Sequence, residues 1–172
     1  MWDWAPVDSK LGGAPALGTD GTIYVNSFKP PTLYAIRPDG TLKWSYQASD
    51  CCSEDVPSSP AIGRDGTIYV GEEVAVGRTT EGIVLALNPD GSLRWKSHLG
   101  YSPTAISVGG DGTIYFGSGS GLLVSVFALN PDGSLNWEYD EPDGGYVRTS
   151  PAIGRGQRVY AGSDEAFFAI GP

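Results

Sequence analysis

At 172 residues the chain can bury the core of one domain, and 40% hydrophobic content with 5 Trp, 9 Tyr and 5 Phe supplies enough large apolar surface to offset chain entropy, which argues against disorder. A formal net charge of −9, with Lys and Arg scattered singly as at Lys10, Lys43, Arg64 and Arg94, argues against nucleic acid or an anionic membrane surface as partner. No apolar run approaches the roughly 20 residues of a spanning helix, so membrane insertion is not expected.

Gly at 25 and Pro at 13 make turns frequent and helices few, which points to an all-β chain. Met1-Trp2-Asp3-Trp4 lacks the basic start and apolar core of a signal peptide, so an exported parent would have lost its leader or carry it outside these residues. The first regular block is Ala14-Pro15-Ala16-Leu17-Gly18-Thr19-Asp20-Gly21-Thr22-Ile23-Tyr24-Val25. It predicts a small-residue strand, an Asp-Gly turn and an alternating, β-branched second strand. Leu33-Tyr34-Ala35-Ile36 follows as a third strand, and Arg37-Pro38-Asp39-Gly40-Thr41-Leu42-Lys43-Trp44 as a turn feeding a fourth that reaches Trp44.

The same four-strand unit returns. Ser59-Pro60-Ala61-Ile62 opens a second copy that passes through Asn88-Pro89-Asp90-Gly91 to Trp95; Ser102-Pro103-Thr104 opens a third that passes through Asn130-Pro131-Asp132-Gly133 to Trp137. A fourth begins at Ser150-Pro151-Ala152-Ile153 and reaches Phe167-Phe168-Ala169-Ile170 without a fourth strand. The period of about 45 residues is that of four-stranded propeller blades. The predicted organisation is one domain over 1–172, with repeats at about 14–47, 59–98, 102–140 and 150–172 plus 1–5. By spacing, Trp4 takes the place of Trp44, Trp95 and Trp137 relative to the next repeat. The N-terminal strand is therefore expected to complete the last blade, either in a four-bladed monomer or by strand exchange in a homodimer of eight blades; a chain cut in mid-blade from a longer propeller is the alternative.

The repeated Pro-Ala-Ile, Asp-Gly-Thr-Ile-Tyr-Val, Leu-Tyr-Ala-Ile and Asp-Gly-Thr-Leu-Lys-Trp segments resemble the repeat of pyrroloquinoline-quinone-type (PQQ-like) β-propellers, over essentially the whole chain. The resemblance implies a β-propeller, from an exported or cell-surface bacterial protein, extracellular or periplasmic. It is shared by quinoprotein dehydrogenases and by cofactor-free scaffolds such as outer-membrane assembly factors. The expected role is a non-catalytic binding or scaffold module with no cofactor, for a protein or carbohydrate partner. The alternatives are a PQQ- and calcium-dependent quinoprotein dehydrogenase or a piece of one, and a carbohydrate-binding propeller.

Cys51-Cys52, the only cysteines, lie in the long link between the first two units. Their Cα atoms would sit about 3.8 Å apart across a trans peptide, below the usual disulfide range, so a bond between them would be strained. A vicinal disulfide, which would resemble that over the cofactor of quinoprotein alcohol dehydrogenases, competes with free thiols and with cross-links to another chain. His98 is the single histidine, and Gly117-Ser118-Gly119-Ser120-Gly121 is expected as a hairpin loop, without a nucleophile elbow. Asp20, Asp65, Asp111, Asp39, Asp90 and Asp132 are expected on one face as turn residues. Asp50, Glu54, Asp55, Glu72, Glu73, Asp140, Glu141, Asp143, Asp164 and Glu165 are expected on the other as a solvated acidic rim, with no calcium-loop spacing. Trp4, Trp44, Trp95 and Trp137 are expected to wedge between blades, so their reading is structural.

Overall fold

A computed structural model describes residues 1–6, 10–28, 30–47, 58–76, 79–99, 103–118, 124–141, 147 and 149–171, with backbone alone for 75, 76, 79, 80, 124 and 141. Short alternating strands separated by Asp-Gly turns fold as four antiparallel meanders. Sheet 1 runs in order through β1 (Leu11–Leu17), β2 (Ile23–Ser27), β3 (Thr32–Ile36) and β4 (Leu42–Gln47). Sheet 2 comprises β5 (Ala61–Ile62), β6 (Ile68–Val76), β7 (Thr79–Leu87) and β8 (Leu93–His98). Sheet 3 comprises β9 (Pro103–Val108), β10 (Ile114–Ser118), β11 (Val124–Leu129) and β12 (Leu135–Glu141). Sheet 4 has three strands, β13 (Ala152–Ile153), β14 (Val159–Gly162) and β15 (Phe167–Ile170).

The period-2 alternation of each sheet feeds two different cores. In β10, Ile114 and Phe116 face sheet 2, where they pack with Tyr69, Val84 and Ala86, while Tyr115 between them faces sheet 4 and packs with Val159 and Ala161. Sheets 1 and 2 meet in the same way, through Tyr24, Leu33 and Ala35 against Ile68, Val70 and Leu87. The result is a propeller-like row in which each sheet is packed on its neighbours in sequence. Among the described residues no core cluster joins sheet 4 back to sheet 1.

A tryptophan secures each of the first two steps of the row. Trp44 on β4 sits opposite Ala35, and its indole Nε1 donates to the Pro89 carbonyl of sheet 2 at 2.9 Å. Trp95 on β8 repeats this with the Pro131 carbonyl of sheet 3, also at 2.9 Å. Each ring lies flat on the glycine of the turn it reaches: a Cβ on Gly91 would stand 2.7 Å from the Trp44 ring, and one on Gly133 2.8 Å from Trp95. Gly91 also has φ +89°, a conformation costly for any residue with a Cβ. Gly91→Ala should therefore destabilise the fold by more than about 1 kcal/mol, read as a lower urea midpoint; an unchanged midpoint would show that the ring does not rest there.

Two sequence expectations change at this point. The seat assigned by spacing to Trp4 holds Trp2, whose Nε1 donates to the Pro38 carbonyl at 2.9 Å and whose ring covers Gly40. Trp4 instead packs edge-on against Tyr34, with ring centroids 4.9 Å apart. Glu72 and Glu73 are not in a loop. The β6/β7 hairpin continues past Val70 through Glu72 opposite Ile83 to Val76 opposite Thr79, which carries Glu72 onto the buried face.

Candidate functional site

On the face made by the Asp-Gly turns, the aspartates are occupied by local hydrogen bonds. The Asp20 carboxylate accepts from the Thr22 amide at 2.9 Å and the Thr22 hydroxyl at 2.8 Å, and lies 3.0 Å from the Lys43 ammonium. The amide bond first, then Lys43, hold its pKa down at about 2. Asp65 repeats the arrangement with Thr67 and with Arg94 at 2.9 Å. Burial works against its ionisation, but these donors outweigh burial and its pKa is lowered. Asp39, Asp90 and Asp132 accept from the hydroxyl and amide of Thr41, Ser92 and Ser134, which likewise lowers their pKa values. These carboxylates shape turns and are held ionised.

Between neighbouring sheets this face opens into clefts. One of about 240 Å³ lies between the turns of sheets 1 and 2, and one of about 210 Å³ between those of sheets 2 and 3, with Arg64 lining both. The third, of about 350 Å³, lies between sheets 3 and 4 and differs in its chemistry. Asn136 stands where Lys43 and Arg94 stand in the earlier repeats, and Asp111 takes its outside hydrogen bond from the Gln157 amide at 2.8 Å. Three rings line this cleft, Tyr115, Trp137 and Tyr139, with Glu138 beside them. Trp137 packs against Tyr115 at 5.9 Å, and among the described residues its Nε1 has no acceptor.

A buried ionisable group lies elsewhere, between sheets 1 and 2. Glu72 is 6% exposed, follows Ile68 and Val70 on one face, and its Oε2 has no hydrogen-bond partner among the described residues. Burial pushes its pKa up to about 7 against the opposing pull of Lys96. Ser118 occupies the same position in sheet 3, and its buried hydroxyl also has no partner among the described residues. Nearby on the strand pair, His98 Nδ1 lies 3.2 Å from Glu81 Oε2 in a half-exposed contact.

The remaining expected site residues are dispersed. Cys51, Cys52, Asp50, Glu54, Asp55, Asp143 and the 119–121 part of the Gly-Ser segment lie outside the described residues, whereas Gly117 and Ser118 belong to β10. Asp140 accepts from the Ser125 hydroxyl at 2.6 Å. Among the described residues no three His, Cys, Asp or Glu side chains gather as a metal site. Sequence reasoning missed the burial of Glu72, although its signal was there: Val70, Glu72 and Val74 alternate in phase with the inward face.

Residues 2–107 and 80–171 match the family described as outer membrane protein assembly factor BamB. The chain belongs to this PQQ-like repeat family. Among solved structures, the PQQ-like chain resembles a streptogramin B lyase at 19% identity and TM-score 0.74, covering 94% of this chain and 51% of that one. It resembles a virginiamycin B lyase from Staphylococcus aureus at 17% identity and TM-score 0.73, covering 95% and 52%. A protein of unknown function from Bacteroides caccae follows at 16% identity and TM-score 0.67, covering 99% and 60%. The chain thus spans half to three fifths of the length of these proteins, and the likeness is one of fold. No curated protein matches it.

Proposed function

We propose that the four sheets are blades of a β-propeller and that the chain acts as a non-catalytic binding or scaffold module in the periplasm or outside a bacterial cell. The observation that carries this reading is the cleft at Trp137. In the steps at Trp2, Trp44 and Trp95 the indole is capped by a Pro-Asp-Gly turn, whereas at Trp137 three rings line a cleft of about 350 Å³ and the indole N–H has no acceptor among the described residues. Aromatic faces with a few polar groups suit recognition, and Asp111 beside them is held ionised by its own turn. The family description, an assembly factor, supports a protein partner. A saccharide is the second reading, favoured by Asn136, Gln157 and Glu138 around the rings.

Two measurements test the proposal. Titration with PQQ and Ca²⁺, followed by absorbance, should give no stoichiometric complex; a tight one-to-one signal would replace the binding module with a quinoprotein. A glycan array should be silent if the partner is a protein, and a hit lost in Trp137→Ala would establish the saccharide reading.

A further inference from the structure

We infer that the interface between sheets 1 and 2 is a pH-sensitive joint, closed while the buried Glu72 carboxyl keeps its proton and opened when that proton is lost to solvent. Four places on from the first residue of each second strand, the chain carries Ser27 in sheet 1, Glu72 in sheet 2, Ser118 in sheet 3 and, just past β14, Ser163. Three of these are hydroxyls and one is a carboxyl, and the carboxyl is 6% exposed. Glu72 is flanked along β6 by Val70 and Val74 and sits opposite Ile83, all three 0–3% exposed. From sheet 1, Tyr46 packs on the cluster of Val74, Ile83 and Leu85. Among the described residues Glu72 Oε2 has no hydrogen-bond partner. A neutral carboxyl fits such a place at modest cost, whereas a carboxylate there must draw water in or part the walls.

That cost falls on one joint. Strand pairing stays within each sheet, so neighbouring sheets are held by side-chain packing and a few cross-links. From sheet 1 to the second repeat the described cross-links are Asn26 Nδ2 to the Ser58 carbonyl at 2.7 Å, the Ala14 amide to Ser59 Oγ at 2.9 Å, and the Trp44 indole to Pro89. A row of repeats opens at a penalised interface before it unfolds as a whole. The charged and titratable groups that face Glu72 among the described residues are Lys96 and His98 on β8, Glu81 on β7, and Tyr24 and Tyr46 of sheet 1. His98 is engaged with Glu81, and Lys96 favours the carboxylate. Burial outweighs Lys96 and holds the carboxyl at about 7 in the closed joint, against 4.5 once the group is in water. The closed state therefore loses stability as pH rises from 4.5 through 7 and loses little beyond, a rise of about 300-fold in the ratio of open to closed. The cleft of about 240 Å³ on the turn face is walled by the same two sheets, so opening the joint reshapes it.

Two valines on the paired strands of sheet 2 provide the test. Val70 and Val84 are 1% and 0% exposed and face opposite ways, Val70 into the joint with sheet 1 and Val84 into that with sheet 3. In the full chain carrying Cys51→Ser and Cys52→Ser, Val70→Cys and Val84→Cys each place one thiol as a probe. Its rate of reaction with a soluble aromatic disulfide is measured relative to the same thiol in the urea-unfolded chain at the same pH, which removes the thiol's own titration. From pH 5 to pH 8 the relative rate at position 70 should rise roughly 70-fold while that at position 84 stays level. Glu72→Gln should abolish the rise, and His98→Asn, which removes the chain's one imidazole, should leave it. Leu85→Cys, opposite Val70 on the same face, replaces the first probe if Val70→Cys does not fold. An equal rise at both positions, a rise that survives Glu72→Gln or is lost in His98→Asn, or no rise at all overturns the proposal.

Discussion

Glu72→Gln should raise the stability of the protein at pH 8 and leave it nearly unchanged at pH 4. The Glu72 carboxyl is buried with one oxygen unpartnered among the described residues, and its pKa rises to about 7 from an ordinary value of 4.5. Between those values the native state holds a proton that the unfolded chain has released, so stability falls as pH rises through the window and levels off above it. The upward shift corresponds to about 3 kcal/mol at pH 8, the cost of keeping a carboxylate in that interface. Glutamine keeps the shape and cannot ionise. Urea unfolding at pH 4, 6 and 8 should therefore show a gap that opens with pH; a gap of constant size would mean that folding leaves the Glu72 pKa at its ordinary value. Lys96, the charge that opposes the shift, predicts the opposite sign: Lys96→Met should widen the pH dependence.

Trp95→Ala is expected to cost about 3 kcal/mol at neutral pH, the largest loss from any single half-exposed side chain in the row. The ring bridges sheets 2 and 3: it packs on the core formed by Ile114 and Phe116, lies 5.9 Å from Tyr69 and covers Gly133, and its Nε1 donates to Pro131. Trp95→Phe keeps most of the area and loses the hydrogen bond, so its cost should be nearer 1 kcal/mol. A double-mutant cycle with Gly133→Ala isolates the contact. Gly133→Ala both strains a residue at φ +85° and pushes into the ring, so its cost should shrink to the backbone part once Trp95 is gone. Additive losses would place the ring elsewhere.

The four-sheet architecture was legible because each signal was repeated. The Asp-Gly turns, the β-branched second strands and the tryptophan-bearing fourth strands recur in phase, and single-strand ambiguities cancel when the same pattern must fold the same way each time. What escaped was unique to one copy. Glu72 replaces what is Ser27 in sheet 1 and Ser118 in sheet 3, and a glutamate after Gly71 reads as a loop unless the hairpin is known to run on to Val76. Trp2 and Trp4 both satisfy an approximate spacing, because the links between units differ in length; the choice is made by the Pro38 carbonyl, which only the folded chain brings to Trp2. The open cleft at Trp137 was invisible for a similar reason. Its distinctness lies in Asn136 taking the place of a cation and in Gln157 crossing from another sheet.

The tryptophan step has one more consequence. Because the Trp44 and Trp95 indoles are each carried by one sheet and received by the next, the smallest piece of sequence that contains a complete fastening is displaced by a strand from the piece that makes a complete sheet. A tandem duplication of one period, wherever its breakpoints fall, therefore inherits both a donor ring and a receiving turn, in register with what lies on either side. Lengthening such a gene by whole periods adds a sheet without requiring a new contact to be invented. The near-identical Asn-Pro-Asp-Gly-Ser-Leu segments ending at Trp95 and Trp137 are what that kind of growth would leave behind.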